Sequence, residues 1–190
     1  LFDLGLSSLQ VDTGKRGFSF REEAPLDMRF DPGQTTTAHQ VVNGYAEHDL
    51  AEIISRFGEE PRARRVARAI VRNRPIETTT ELGRLVARAT GRPMGGRIHP
   101  ATRTFQAIRM VVNRELDNLR VGLDGAIQIL GAAGRLVVIS YHSLEDRLVK
   151  TTLRRGASEC VCPPGLPQCI CGHTATVSLV GRKPVRPSQD

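Results

Sequence analysis

Tryptophan is absent from this chain, and aromatic residues make up only 4% of its 190 positions. A packed core must therefore lean on Leu, Ile, Val and Ala, within a hydrophobic share of 39%. No apolar run approaches the roughly 18 residues of a membrane-spanning helix, which excludes that class of span from the residues present. No signal peptide is visible, and there is no internal repeat. The chain also has no initiator methionine: only Leu1 and Phe2 precede Asp3. The apolar–acid–Gly–Ser-Ser order of Leu1 to Gln10 reads as the carboxyl end of a buried strand opening into a ligand crevice. The expectation is that this strand begins upstream of Leu1 and that the chain starts inside a domain.

What is present is charge. Basic residues number 27 against 20 acidic ones, a formal net charge of +7, with an isoelectric point near 9.9. A basic surface favours anionic partners, nucleic acid above all, although a solvated basic face satisfies the same count.

Residues 11–37 are rich in Gly, Asp, Pro and Thr and lack a sustained period, so they form a long loop, a class that is often functional in compact domains. Helical spacing then takes over. Ala46, Leu50, Ile53, Ile54 and Phe57 share one face, with Gly58 as the expected stop. Ala63, Val66, Ala67, Ile70 and Val71 repeat the pattern. Thr78-Thr79-Thr80-Glu81 is a capping box leading into Leu82, Leu85, Val86 and Ala89, and Gly91 and Pro93 end that helix. Gly91 to Gly96 makes a joint. Phe105, Ile108 and Val112 share another helical face, and Leu116, Leu119 and Leu123 extend the helical signal. Arg135 to Ser140 is expected as a buried parallel strand, Ser143-Leu144-Glu145-Asp146 as the cap of a helix to about Arg155, and Val177 to Val180 as a weaker strand. The tail from Pro184 is expected to lack structure. The order predicts an α/β sheet interrupted by an all-helical insertion. Residues 1–35 and 98–190 form the core, and residues 36–97 form the insertion.

Three segments carry a more specific signal. The first is Asp3-Leu4-Gly5-Leu6-Ser7-Ser8-Leu9-Gln10, backed by Arg16-Gly17-Phe18-Ser19-Phe20 and Pro25-Leu26-Asp27-Met28-Arg29. The second is His99-Pro100-Ala101-Thr102-Arg103-Thr104-Phe105-Gln106-Ala107-Ile108-Arg109, followed by Asn113-Arg114-Glu115-Leu116. The third is Ser140-Tyr141-His142-Ser143-Leu144-Glu145-Asp146-Arg147. In order and spacing they resemble the bacterial small-subunit rRNA (cytosine-N4)-methyltransferase family (RsmH/MraW) over nearly the whole chain. The resemblance implies a Rossmann-like core dependent on S-adenosylmethionine, a helical insertion, a cytoplasmic setting and a 16S rRNA or small-subunit substrate, with no membrane partner. It also implies that Asp3 and Gln10 contact the methyl donor. The family's Gly-rich loop ending in Gly-Gly-His, and an acid after its second strand, would lie before Asp3; the Gly95-Gly96 pair does not replace them. A further basic segment would follow Asp190.

Methyl transfer from a sulfonium requires in-line approach of the nucleophile, so most of the catalysis is positioning. A cytosine N4 amine is a poor nucleophile because its lone pair is delocalised into the ring. Acceptors at strand ends would hold its hydrogens, and Asp3, Ser7, Ser8, Ser140 and His142 are the candidates. The target base must leave its stack, and Phe18, Phe20 or Tyr141 are able to stack on it; for Phe18 and Phe20 core packing is the simpler reading. Arg62, Arg64, Arg65, Arg68 and Arg72 crowd one helix, with Arg74, Arg84 and Arg88 nearby, and form the candidate RNA-docking face. His99, Arg103 and Arg109 are signature positions whose bland readings are capping and salt bridging. Glu145 and Asp146 suit a helix N-terminus.

All four cysteines fall in Cys160-Val161-Cys162 and Cys169-Ile170-Cys171, two C-x-C pairs across a Pro/Gly turn, with His173 after them. Four thiolates suit tetrahedral Zn²⁺, and the expectation is a structural staple rather than disulfides. The alternative for the chain as a whole is an inactive, RNA-binding, zinc-stapled module.

Overall fold

The computed structural model describes residues 1–5, 16–92, 98–166, 168–181 and 183–185. The chain divides into two compact units. One joins Leu1–Gly5 to Leu116–Asp190, and the other is Leu6–Glu115. Among the described residues the architecture is mostly helical with one small parallel sheet.

The second unit holds five helices: α1 (Ala38–Gly44), α2 (Glu47–Gly58), α3 (Ala63–Arg72), α4 (Thr79–Thr90) and α5 (Thr102–Val112). Two start with capping boxes: Thr37 with Gln40 for α1, and Thr78 with Glu81 for α4. In each, the threonine oxygen accepts an N–H of the first turn while the N3 side chain returns to the cap's own N–H. Helix α2 packs on α3 and α5, and α3 packs on α4. The core between them is built from Leu50, Ile54, Val66, Ile70, Leu82 and Ile108, all fully buried, as the low aromatic content requires.

Gly58 is the last residue of α2, as expected, and the left-handed cap is Glu59, at φ 48°. A Cβ on Gly58 would sit 2.5 Å from the Arg103 carbonyl oxygen. Here glycine permits close crossing of α2 and α5. The helical signal expected from Phe105 to Leu123 is carried by two helices. Asn113 caps α5 and Arg114 takes φ 50° before the next helix begins.

Residues 16–35 contain no helix but are tied to this unit at both ends. The Ala24 N–H donates to Thr79 Oγ1 (3.1 Å), which itself donates to the Glu22 carbonyl (2.7 Å). Asn113, buried behind the loop, accepts the Phe30 N–H at 2.7 Å and donates to the Met28 carbonyl at 2.7 Å. Arg29 pairs with Asp27 through two nitrogens, at 2.7 and 2.9 Å. That pairing holds the Asp27 carboxyl below the usual range, since the hydrogen bond from Arg29 outweighs burial. The compact unit is therefore broader than the segment 36–97 and includes both this loop and α5.

The first unit contains β1 (Phe2–Asp3), α6 (Glu115–Ile129, whose first residue belongs to the other unit), β2 (Val138–Ile139) and α7 (Ser143–Gly156). The strands are parallel, in the register Phe2 with Val138 and Asp3 with Ile139. Flanking bonds run from the Phe2 N–H to the Val137 carbonyl (2.8 Å) and from the Leu4 N–H to the Ile139 carbonyl (3.1 Å). The expected strand over 135–140 is confined to two residues, and it is not buried. Ile139 is 43% and Val137 53% exposed, because a two-stranded sheet has two edges and little to cover it. Val177 to Val180 forms no strand. The Thr176 and Val177 N–H groups instead donate to the Gly156 carbonyl at the end of α7. The last residues of the tail, 186–190, lie outside the described residues.

Candidate active site and nucleic-acid interface

The parallel register brings the carboxyl ends of β1 and β2 side by side, so Asp3 and the segment Ser140-Tyr141-His142 emerge together. Tyr141 turns back over the first strand. Its hydroxyl donates to Asp3 Oδ1 at 2.9 Å. The ring crosses Gly5, where a Cβ would meet Tyr141 Cδ2 at 3.0 Å, and Gly5 itself has φ 98°. Both the backbone conformation and the close approach favour glycine here. The Asp3 carboxylate accepts the phenolic proton and opposes its loss, which pushes the Tyr141 pKa above its ordinary 10.0. Asp3 is exposed and Tyr141 is 67% exposed, so the pair borders solvent.

Glu145 is the hub beneath this pair. It is only 5% exposed. One carboxylate oxygen accepts the Tyr141 N–H at 3.0 Å, and the other lies 3.2 Å from His142 Nε2. Burial raises the Glu145 pKa, but the hydrogen bonds from His142 and from the Tyr141 N–H outweigh it and hold the carboxyl below its usual value. His142 is the N-cap of α7, where its Nδ1 accepts the Glu145 N–H at 3.4 Å. The cap is thus His142 rather than Ser143. The Glu145 side chain in turn reaches back to the N–H of Tyr141, one residue before the cap. Glu145 was legible only as a helix-terminus charge. The N-cap-x-x-Glu spacing was the available signal for more, hidden because histidine is not a customary cap.

The structure brings Asp3, Ser140, Tyr141 and His142 to one sheet end. Ser7, Ser8 and Gln10 lie outside the described residues, as does the Gly95-Gly96 pair. Phe18 and Phe20 pack against the helical core. Phe20 stacks on His99 at 4.2 Å between centroids and meets Phe105 edge-on, while Phe18 stacks on Phe30 at 5.5 Å. His99 Nδ1 accepts the Ala101 N–H, and burial followed by the charge of Arg21 lowers its pKa. Arg103 donates to the Glu59 carbonyl, and Arg109 grips Glu115 through two nitrogens at 2.7 and 2.9 Å. The salt-bridging reading holds for Arg109, whereas Arg103 bonds a backbone carbonyl and His99 bonds the N–H of Ala101, the residue that caps α5.

In the helical unit, α3 buries Ala63, Val66, Ala67 and Ile70 and leaves Arg64, Arg65, Arg68 and Arg72 exposed, with Arg62 exposed just before its start. Among the described residues, Arg68 alone of these arginines has a near acid, Glu47 at 3.4 Å, on the exposed surface. An open groove between α2 and α3 is lined by His48, Ser55, Arg56, Arg62, Arg64 and Arg65, with Glu52 and Glu60 in its wall. Glu60 is buried and faces Arg92 at 3.1 Å. Arg74, by contrast, is turned inward onto the Val42 and Tyr45 carbonyls.

The four cysteine sulfurs lie within 4.8 Å of one another. Cys171 accepts the N–H groups of Val161 and His173, which lower its pKa to about 6. At Cys160 the Cys162 N–H acts in the same sense but is outweighed by the neighbouring thiols, and the pKa is pushed up to about 12.

Comparison with known proteins rests on the whole chain. A profile described as the MraW methylase family matches residues 1–190. The chain belongs to the MraW methylase family. Curated relatives named ribosomal RNA small subunit methyltransferase H agree with it. The one from Dehalococcoides mccartyi strain BAV1 is 53% identical over 190 residues, covering 100% of this chain and 54% of the relative. The one from Thermomicrobium roseum is 54% identical over 193 residues (100% and 59%), and that from Caldicellulosiruptor bescii 49% over 193 residues (100% and 62%). The chain thus spans a little over half the length of the curated relatives it matches. No helix among the described residues is long and apolar enough to cross a membrane.

Proposed function

We propose that these residues form part of an S-adenosylmethionine-dependent methyltransferase acting on the N4 amine of a cytosine in small-subunit (16S) rRNA. The observation that carries the reading is Asp3, held by Tyr141 at the carboxyl end of a parallel strand, in a chain whose every residue falls within the family match. Ligands of α/β proteins bind outside the carboxyl ends of parallel strands. With Oδ1 engaged by Tyr141, Asp3 Oδ2 has no partner among the described residues, and a free acceptor there fits the amino and hydroxyl groups of the methyl donor. The bound donor supplies an electrophilic methyl group.

In this reading Asp3 orients, and Tyr141 fixes Asp3. Gln10 is the second donor contact. Ser7 and Ser8 face the base side, and Ser140 offers a further acceptor at the strand end. His142, with both ring nitrogens facing Glu145, acts through the Tyr141 segment rather than on the amine. No base need act before transfer, because the product amine can lose its proton late. The Rossmann-like core, with residues 36–97 as its insertion, is part of the same proposal. The α3 arginines dock the rRNA through phosphate contacts, which hold orientation without reading sequence. The match along the whole chain favours this enzyme over a module that only binds RNA.

The test is Asp3→Asn in a protein of the relatives' full length that contains these residues. Donor affinity by calorimetry and turnover on 16S rRNA are both expected to fall at least tenfold, about 1.4 kcal/mol. Unchanged donor binding and turnover would remove Asp3 from the site.

A further inference from the structure

Beyond the end of α7 the chain runs from Ala157 to Val180 without one buried residue among those described. A segment of this length with no hydrophobic core has little to offset the entropy of ordering it. Yet it folds back on itself and returns to the helix end. His173 Nε2 lies 2.8 Å from the Arg155 carbonyl oxygen, and the Thr176 N–H donates to the Gly156 carbonyl at 2.8 Å. Something other than apolar burial must close the loop between.

The four sulfurs sit at the centre of that loop. Cys162 and Cys169 are 3.9 Å apart, Cys169 and Cys171 3.5 Å, and Cys171 and Cys160 3.8 Å. Four thiolates around one ion at the usual zinc–sulfur bond length of about 2.3 Å stand about 3.8 Å apart along each tetrahedral edge. The observed spacing is that edge. It is too long for disulfide bonds, whose sulfurs are about 2 Å apart, and all four cysteines are free. It is also too short for an iron–sulfur cluster, whose bridging sulfides and several irons push the cysteine sulfurs further apart. N–H groups already point at the sulfurs: Val161 to Cys171 at 3.5 Å and Cys162 to Cys160 at 3.4 Å. Such donors stabilise the excess negative charge of a four-thiolate site. Gly165, at φ 95°, turns the chain between the two pairs.

We propose that Cys160, Cys162, Cys169 and Cys171 bind one Zn²⁺ as a closed, structural S₄ site, and that the ion holds residues 172–177 against the carboxyl end of α7. Binding displaces the thiol protons to solvent and leaves a site of net charge −2, with no change of oxidation state. All four positions are protein ligands, so the ion has no open position and takes no part in methyl transfer. The site does not depend on the methyltransferase reading.

The purified chain, expressed in zinc-supplemented medium, should carry one zinc per chain by elemental analysis. Replacement with Co²⁺ should give the intense visible absorption of tetrahedral thiolate cobalt. Cys162→Ser and, separately, Cys169→Ser should reduce bound zinc to trace levels. If a variant fails to fold, stripping the unmodified chain with a chelator and restoring Zn²⁺ replaces it: limited proteolysis within residues 157–180 should quicken on stripping and slow again on restoration. Four freely titrating thiols without stoichiometric metal, a disulfide pair, iron or copper as the bound metal, or proteolysis indifferent to zinc would each overturn the assignment.

Discussion

The Tyr141 hydroxyl donates to Asp3 Oδ1 at 2.9 Å, across 138 residues of sequence and between two strands paired for only two residues each. The tyrosine restrains the acid from which the donor site is argued. Removing the hydroxyl with Tyr141→Phe keeps the ring over Gly5 and deletes that restraint. In the full-length protein, donor affinity by calorimetry is expected to weaken about three- to tenfold, on the order of 1 kcal/mol for one hydrogen bond. Asp3→Asn and Tyr141→Phe combined should cost less than the sum of the two. Full additivity would show that the pair does not act as a unit. Because the folded Tyr141 pKa is raised, the bond's contribution is complete below the ordinary value of 10.0 and is lost only as pH rises through the higher folded value. An ultraviolet titration should accordingly find Tyr141 ionising late, and Asp3→Asn should abolish that delay.

Glu145 is buried, accepts the Tyr141 N–H and lies 3.2 Å from His142 Nε2. Glu145→Ala strands the Tyr141 N–H and is expected to destabilise the fold by about 1–3 kcal/mol in urea denaturation, with Glu145→Gln costing less. The folded pKa is depressed, so the carboxylate stabilises the protein above its unfolded value near 4.5 and ceases to do so as pH falls through the lower folded value. An acid-unfolding midpoint that Glu145→Gln leaves in place would argue against this role.

Two neighbouring residues at the carboxyl end of α2 predict opposite effects. Gly58→Ala places a methyl group 2.5 Å from the Arg103 carbonyl oxygen and should destabilise by about 1–3 kcal/mol. Glu59→Gly relieves a side chain held at φ 48° and should stabilise by about 1 kcal/mol. Thermal and denaturant melts of the two variants should shift in opposite directions.

Arg64, Arg65 and Arg68 are exposed on α3. Converting the three to Glu should weaken 16S rRNA binding by at least tenfold. It should lower the salt dependence of log K by about three phosphate contacts' worth and leave donor affinity unchanged. Retained RNA affinity in filter binding across a salt series would place the RNA elsewhere.

Much of this protein was legible in order of residues. The apolar spacing of Leu50, Ile53 and Ile54, and of Val66, Ala67 and Ile70, marked the buried helix faces, because a 3.6-residue period leaves one stripe to bury. The Thr78–Glu81 capping box and the Gly91 cap bounded α4 through local backbone chemistry. The three signature segments carried the family, and the two C-x-C pairs carried the cysteine cluster.

The tertiary structure alone decided what depends on contacts between distant segments. Gly58 read as a helix stop, and only the crossing of α2 and α5 shows that the space is needed. Phe20 read as core packing ahead of a base platform, and the fold decides which partner it packs on, giving its face to His99. His142 read as a catalytic candidate, and the fold sets its Nδ1 on the first turn of α7 and its Nε2 3.2 Å from Glu145. Tyr141 read as a stacking candidate, and the parallel register sets its hydroxyl on Asp3. Sequence patterning reports what each segment must bury or cap by itself. Which groups meet is settled when strands and helices from far positions are brought together, and that meeting defines the site.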